Sequence, residues 1–297
     1  MSRLGGSRTP RATSRRRRAL GQHFLVDSGV AARIVEVVGA TSDDVVCEIG
    51  AGPGTLTWAL AARAGRLVSL EIDPALQARL AEAARTWPDA TRVEIRLADA
   101  RSYAYEELRA LRPAPAGRVL VVGNLPYSVS KPILARLLAA RAALDTAVLM
   151  LQREVAERIT ARPGGREYGA LSIFWQRWAD VTPLEVVPPG AFRPPPAVES
   201  AVIRAGFRTA PKVVVADEGM FVQVVRAAFG QRRKTLGNAL RGGGLGAPDR
   251  LAVALAESAI DAGRRAETLS LEEFARLADA LGRLPTADAR GAGDPTS

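Results

Sequence analysis

Asn124-Leu125-Pro126-Tyr127 combines an amide side chain, a rigid turn and an aromatic ring with a polar tip. An amide oxygen and a neighbouring backbone carbonyl can each accept one hydrogen of an exocyclic amine. A tyrosine ring can stack on the flat base that carries the amine. Asn124, Leu125, Pro126 and Tyr127 are therefore candidates for chemistry at a base nitrogen, the alternative being a strand-to-helix turn with a structural Asn and Tyr. Further on, 188–196 is a Pro-rich turn whose one aromatic, Phe192, is flanked by prolines. Phe192 reads either as the second slice of a sandwich opposite Tyr127 or as a hydrophobic plug.

These residues need strands to hold them. The apolar run at 118–123 reads as a buried central strand, with the tetrapeptide at its carboxyl end, where open α/β sheets bind ligands. Residues 45–50 form a first strand, 51–57 a glycine-rich turn and 58–64 a helix. Residues 67–71 form a second strand ending in Glu71, which lies 21 residues after Gly50. That spacing suits an acid that binds ribose hydroxyls. Residues 92–97 form a third strand, followed by Asp99, and 146–151 a fifth. Gly50, Gly52 and Gly54 give G-x-G-x-G, with Glu48 two residues earlier. A dinucleotide loop wants G-x-G-x-x-G. Here the third glycine comes one residue early, behind Pro53. The loop thus favours a cofactor without a pyrophosphate, such as S-adenosyl-L-methionine, with Gly50, Glu71, Asp99 and Asn124 as cofactor-binding candidates.

The net charge of +10 is concentrated. Residues 1–18 hold seven arginines and no acid, among them Arg15, Arg16, Arg17 and Arg18. Residues 219–247 hold Arg226, Arg232, Arg233, Lys234 and Arg241, again with no acid. Those twelve positive charges exceed the net charge, so the rest is slightly acidic. Two basic patches on a near-neutral body are the footprint of a polyanion partner. These nine residues are the nucleic-acid-binding candidates, against the alternative of a solvated tail and a basic helix face. One cysteine, Cys47, and one histidine, His23, argue against a metal site and against a disulfide within the chain. Cys47 faces a strand core and reads as inert. No apolar run approaches a membrane span, and no secretory signal is recognised, so a cytoplasmic protein without a membrane partner is expected.

The expected fold class is α/β: a Rossmann-like domain, of the kind found in S-adenosyl-L-methionine-dependent methyltransferases, followed by a smaller all-helical domain. The expected divisions are a disordered basic arm at 1–18, the catalytic domain at 19–207, a helical RNA-binding domain at 208–284 and a disordered tail at 285–297. Residues 30–38 read as an amphipathic helix and 162–169 as a mobile loop. Ser270 and Glu273 have capping-box spacing.

The sequence resembles the KsgA-type ribosomal RNA adenine dimethyltransferases, relatives of the Erm methyltransferases. The resemblance runs from about Leu20 to Leu284. It covers LGQHFLVD, EIGAGPGTLT, LEID, ADA, GNLPY, MLQREVAERI, YGALS, VPPGAFRPPPAVESAV and FGQRRKTLGNAL, in the family's order. It implies that His23 and Leu25 contact the methionine end of S-adenosyl-L-methionine, that Gly50 lets the backbone approach it, and that Glu71 and Asp99 hold its ribose and adenine. Asn124 would sit between cofactor and target base, with Tyr127 and Phe192 stacking on that base. Two positions depart from the family: His23 stands where Asn is usual, and Gly237 where another basic residue is frequent. The last two motifs look like the KsgA side. They imply dimethylation of two adjacent adenosines in a hairpin loop near the 3′ end of small-subunit (16S) rRNA, a role in small-subunit biogenesis and a pre-30S partner. A monomer without metal is expected. The rivals are an Erm-type 23S rRNA methyltransferase conferring macrolide resistance and an assembly factor without turnover.

Overall fold

The structure is a computed structural model and describes residues 22–285. The basic arm with Arg15, Arg16, Arg17 and Arg18, and the tail from 286, lie outside the described residues. Two compact units are present. Among described residues the first holds 22–156 and 182–207, and the second holds 157–181 and 208–285.

The first unit is built on a seven-stranded sheet with order β4-β3-β2-β5-β6-β9-β7. Its strands are β2 (Val45–Ile49), β3 (Arg66–Glu71), β4 (Val93–Leu97), β5 (Val119–Asn124), β6 (Thr146–Gln152), β7 (Ala179–Val187) and β9 (Ser200–Phe207). Strands β2 to β6 pair in parallel and β9 runs antiparallel to β6. β2 and all of β5 but its last residue are buried, as apolar runs without alternation require of central strands. β4 is half-exposed at the sheet edge, as its alternating sequence indicates. β2 lies between β3 and β5, so the chain reverses its direction of travel across the sheet there. Such a switch point opens a crevice at the strands' carboxyl ends. A two-stranded ribbon, β1 (Phe24–Leu25) with β8 (Phe192–Arg193), completes the unit.

Helix α1 (Ser28–Val38) starts two residues earlier than its apolar stripe suggests, because Asp27 caps it. The Asp27 carboxylate accepts the N–H groups of Gly29 and Val30 at 2.9 and 3.0 Å. Helix α2 (Thr57–Ala61) follows the glycine loop, and α3 (Pro74–Ala84) follows Glu71 with Asp73 as its cap. Helix α4 (Ser130–Ala139) follows the tetrapeptide.

The division expected at 207/208 has a second component. Helix α5 (Arg153–Thr160) leads out of the first unit, and α6 (Ala170–Trp178) belongs to the helical one. The reason is packing. Tyr168 and Ile173 join the core formed by α7 (Glu218–Gly230), α8 (Leu236–Gly242), α9 (Pro248–Glu257) and α10 (Leu271–Arg283). The buried Arg177 guanidinium also donates to Glu218 at 2.5 and 2.7 Å and to the Val213 carbonyl at 3.0 Å. The Ser270 capping box forms as its spacing predicts. The loop at 162–169, expected to be mobile, is tied down. Gly164 N–H donates to the Glu267 carbonyl at 2.7 Å, and Tyr168 is buried.

Inside β2, Glu48 is buried and accepts the Ser69 hydroxyl at 2.7 Å. Burial pushes its carboxyl up to about 7, with the Glu71 charge adding and the Ser69 bond opposing. Below about 4.5 it is protonated folded and unfolded alike. Between there and about 7 only the unfolded chain ionises, so this group removes stability as pH rises. The loss should reach roughly 3 kcal/mol above neutrality. Urea unfolding at pH 5 and pH 8 should show a larger fall for the natural chain than for Glu48→Gln; equal falls would exclude this assignment.

Candidate functional site

Parallel register builds the site. Ile49 pairs with Leu70 on one side and Gly123 on the other. Gly50, Glu71 and Asn124 therefore follow at one level on the carboxyl edge. Gly50 adopts φ +75° and its N–H donates to the Leu70 carbonyl at 2.9 Å. A Cβ at Gly50 would stand 3.6 Å from the Asn124 carbonyl oxygen, in the space between the two strand ends.

Glu71 is buried at the end of β3. Its Oε2 accepts Gly52 N–H at 2.8 Å, and Oε1 accepts Ile72 and Asp73 N–H at 2.9 Å each. A carboxylate has about four acceptor positions, so one remains for a ligand hydroxyl. Asp99 lies beyond β4, where Arg101 donates to both of its oxygens, at 2.9–3.0 Å from Nε and 2.6 Å from Nη2. Those bonds hold the Asp99 carboxyl below the usual carboxylate range. A ligand amine would share these oxygens with Arg101.

Two adjoining cavities share Gln22, Gly50, Glu71 and Pro126. The larger, about 290 Å³, has Glu71 and Asp99 as its acidic groups and Ile49, Leu70, Ile72 and Ile133 as apolar walls. The smaller, about 30 Å³, is lined by His23, Phe24, Asn124, Leu125 and Tyr127 as well.

At that smaller cavity the Asn124 Nδ2 donates to the His23 carbonyl at 2.8 Å. A carbonyl only accepts, so this bond fixes the amide orientation and leaves Oδ1 as an acceptor. Leu125 is buried, its N–H donating to the Met150 carbonyl at 3.0 Å. The Pro126 carbonyl accepts Val129 N–H at 3.1 Å and keeps a second lone pair. The half-buried Tyr127 hydroxyl lies 2.5 Å from Ser200 Oγ, and burial raises its pKa against that bond.

Two expected members are placed elsewhere. Phe192 is fully buried in the core with Leu25, Val187 and Ala191, and lines neither cavity. In this structure it takes the place of the hydrophobic plug, with β1–β8 pairing setting it opposite Leu25. Leu25 is likewise buried in that core, its carbonyl accepting the Thr55 hydroxyl at 2.8 Å, and it too lines neither cavity. Sequence reasoning missed Ile72 and Arg101, whose signal was adjacency to Glu71 and Asp99. It also missed Gln22, Phe24 and Ser200, which only the fold brings in. Cys47 is buried, and burial pushes its thiol up, as an inert cysteine requires.

In the second unit, Arg226, Arg232, Arg233, Lys234 and Arg241 are all exposed. Arg232 donates to the carbonyls of Arg166 and Tyr168 at 2.7 and 3.1 Å. Neutral carbonyls position its guanidinium without cancelling the charge. Gly237 packs on Ala262, where a Cβ would stand only 3.2 Å from Ala262 Cβ.

The ribosomal RNA adenine dimethylase family model matches residues 13–282. The chain belongs to the ribosomal RNA adenine dimethylase family. It is 45% identical over 268 residues to ribosomal RNA small subunit methyltransferase A of Geobacter metallireducens, covering 90% of this chain and 96% of that one. The protein of the same name from Pelotomaculum thermopropionicum is 45% identical over 272 residues, 89% of this chain and 91% of its own. A dimethyladenosine transferase from Plasmodium falciparum shares the fold, with TM-score 0.71 at 24% identity over 86% of this chain and 96% of that one. The 23S rRNA methyltransferase ErmE gives TM-score 0.65 at 27% identity over 88% of this chain and 100% of its own. Membership makes the chain an rRNA methyltransferase that uses S-adenosyl-L-methionine, as the motifs implied. Among the described residues no helix is long and apolar enough to cross a membrane.

The two loop glycines should rank differently. Gly50→Ala meets only ordinary contacts and should cost about 1–2 kcal/mol for its left-handed backbone. Gly52 has φ +55°, and its Cβ would stand 2.9 Å from the Phe24 ring, so Gly52→Ala should cost more. Urea midpoints of the two variants check the order.

Proposed function

We propose that this chain transfers methyl groups from S-adenosyl-L-methionine to N6 of two adjacent adenosines in the hairpin loop near the 3′ end of small-subunit (16S) rRNA. We further propose that it works in the cytoplasm, as a monomer, on a pre-30S partner during subunit biogenesis. The observation that carries the reading is the fixed amide of Asn124. Its Nδ2 is held by the His23 carbonyl, which leaves Oδ1 as an acceptor in a cavity walled by Tyr127 and open to the glycine loop.

The residues fit the cofactor. The bare Cα of Gly50 leaves space beside Asn124, and two carboxylates and an apolar wall line a cavity of about 290 Å³. When bound, S-adenosyl-L-methionine supplies an electrophilic methyl group on a sulfonium. Glu71 would accept its ribose hydroxyls and Asp99 its adenine amine, with the Gly50 and His23 main chain at its methionine end. The lone pair of adenine N6 is delocalised into the ring, so the amine is a poor nucleophile. The Asn124 Oδ1 and the Leu125 or Pro126 carbonyl would each accept one amine hydrogen. That pairing favours a pyramidal nitrogen with its lone pair free, and acts by positioning and electrostatics. Tyr127 would stack on the base, and its bond to Ser200 keeps the ring in place. Flipping a loop base costs a few kcal/mol, which stacking offsets by about 1–3 kcal/mol per ring. Arg226, Arg232, Arg233, Lys234 and Arg241, with Arg15, Arg16, Arg17 and Arg18 of the arm, would bind phosphates. The higher identity to small-subunit enzymes than to ErmE favours the 16S target.

Labelled methyl groups offered with unmethylated small or large subunits test the reading. Dimethyladenosine at two neighbouring small-subunit positions is expected; label confined to large-subunit rRNA would move the chain to Erm-type chemistry. Asn124→Ala should lower transfer by roughly 100-fold or more while RNA affinity holds. Normal turnover by that variant would refute the amide's role. Replacing Arg232, Arg233 and Lys234 together by Ala should reduce the salt slope of rRNA binding by about 2–3, which a filter-binding titration reads directly.

A further inference from the structure

Methyl transfer to a neutral amine leaves one surplus proton on nitrogen, and dimethylation does so twice. The cavity at Asn124 holds about 30 Å³, room for about one water. A base within the wall is therefore better placed than bulk solvent to remove that proton. Among the described residues lining it, the titratable side chains are His23, Glu71 and Tyr127. Glu71 already has its oxygens occupied by three main-chain N–H groups. Tyr127 is bonded to Ser200, and burial keeps it a neutral phenol.

His23 differs from both. Its Nδ1 lies 2.8 Å from the Pro194 carbonyl. That oxygen only accepts, so Nδ1 carries the proton and the neutral ring keeps its lone pair on Nε2. The ring centroid stands 5.5 Å from that of Tyr127, and the His23 carbonyl holds the Asn124 amide. One residue thus orients the amide through its main chain and brings a base to the same cavity. The ring is half-exposed, so a captured proton has a route to solvent.

We propose that His23 is the proton acceptor of the transfer, its Nε2 taking the proton that adenine N6 gives up. This rests on the site reading above. The N6 lone pair forms the new N–C bond, and the C–S bond breaks with its pair going to sulfur. One N6–H then turns away from its carbonyl acceptor, the N–H bond breaks with its pair returning to nitrogen, and the proton passes to Nε2. The imidazolium then releases it to water before the next methyl. The other titratable groups that line the same cavity are Glu71 and Tyr127, while Arg193 of strand β8 pairs with Phe24, its guanidinium held by the Gly190 and Phe192 carbonyls.

His23 is the single histidine of the chain, so its imidazole can be read without ambiguity. In ¹⁵N-histidine-labelled full-length protein, free of substrate, the neutral ring should carry its proton on Nδ1. A proton on Nε2 would overturn the proposal without any variant. With S-adenosyl-L-methionine and unmethylated small subunits, the natural chain should speed up between about pH 5.5 and pH 8. His23→Asn keeps the main-chain carbonyl and a donor for Pro194 but has no base, and its profile should be flat there. The natural chain should be at least about tenfold faster at pH 8 and no faster at pH 5.5. Parallel profiles would assign His23 a structural role only. No transfer by the natural chain to any rRNA would instead refute the methyltransferase reading, and this proposal with it.

Discussion

The carboxylate of Glu71 is buried and accepts three main-chain N–H groups, from Gly52, Ile72 and Asp73. A charge out of water is tolerated only when it is hydrogen-bonded, so these bonds are a condition of the fold. They join three segments: the glycine loop after β2, the end of β3 and the cap of α3. Because β2 pairs in parallel with both β3 and β5, fixing this corner also fixes Gly50 and Asn124 on the same edge. The larger cavity has its acidic groups where these strand ends and the segment after β4 meet.

A second constraint works through the main chain. The Asn124 amide could face either way until the His23 carbonyl accepts its Nδ2. The short β1–β8 ribbon that carries His23 past the site is held by Phe192 and Leu25, both buried beneath it. Phe192 thus serves the site without lining it, by supporting the strand whose neighbour sets the amide. Ser200 acts similarly at a distance, through its bond to the Tyr127 hydroxyl.

The helical unit answers to different physics. Its core is a ring of apolar helix faces, with one buried guanidinium, Arg177, paired to Glu218. The exposed Arg226, Arg232, Arg233, Lys234 and Arg241 have no carboxylate partner shown among the described residues, and Arg232 is positioned by neutral carbonyls. The cavities at the strand ends and this group of exposed cations are therefore carried by separate compact units.

The sequence by itself determined the five parallel strands, the glycine loop, the acids at the ends of the second and third, and the tetrapeptide at the fourth strand's end. Those signals are local: apolar runs, a glycine spacing and a capping residue are set by neighbours in the chain. It also determined the family, since nine motifs in order leave little freedom. The tertiary structure decided what depends on contacts between distant segments. The ring of Phe192, flanked by prolines, suited a stacking wall and a plug equally; only pairing with β1 placed it in the core. The affiliation of 157–181 with the helical unit rests on Tyr168, Ile173 and Arg177 finding partners beyond residue 208. The orientation of the Asn124 amide and the lone pair on His23 are also tertiary. Each is set by a carbonyl far along the chain, at His23 for one and Pro194 for the other.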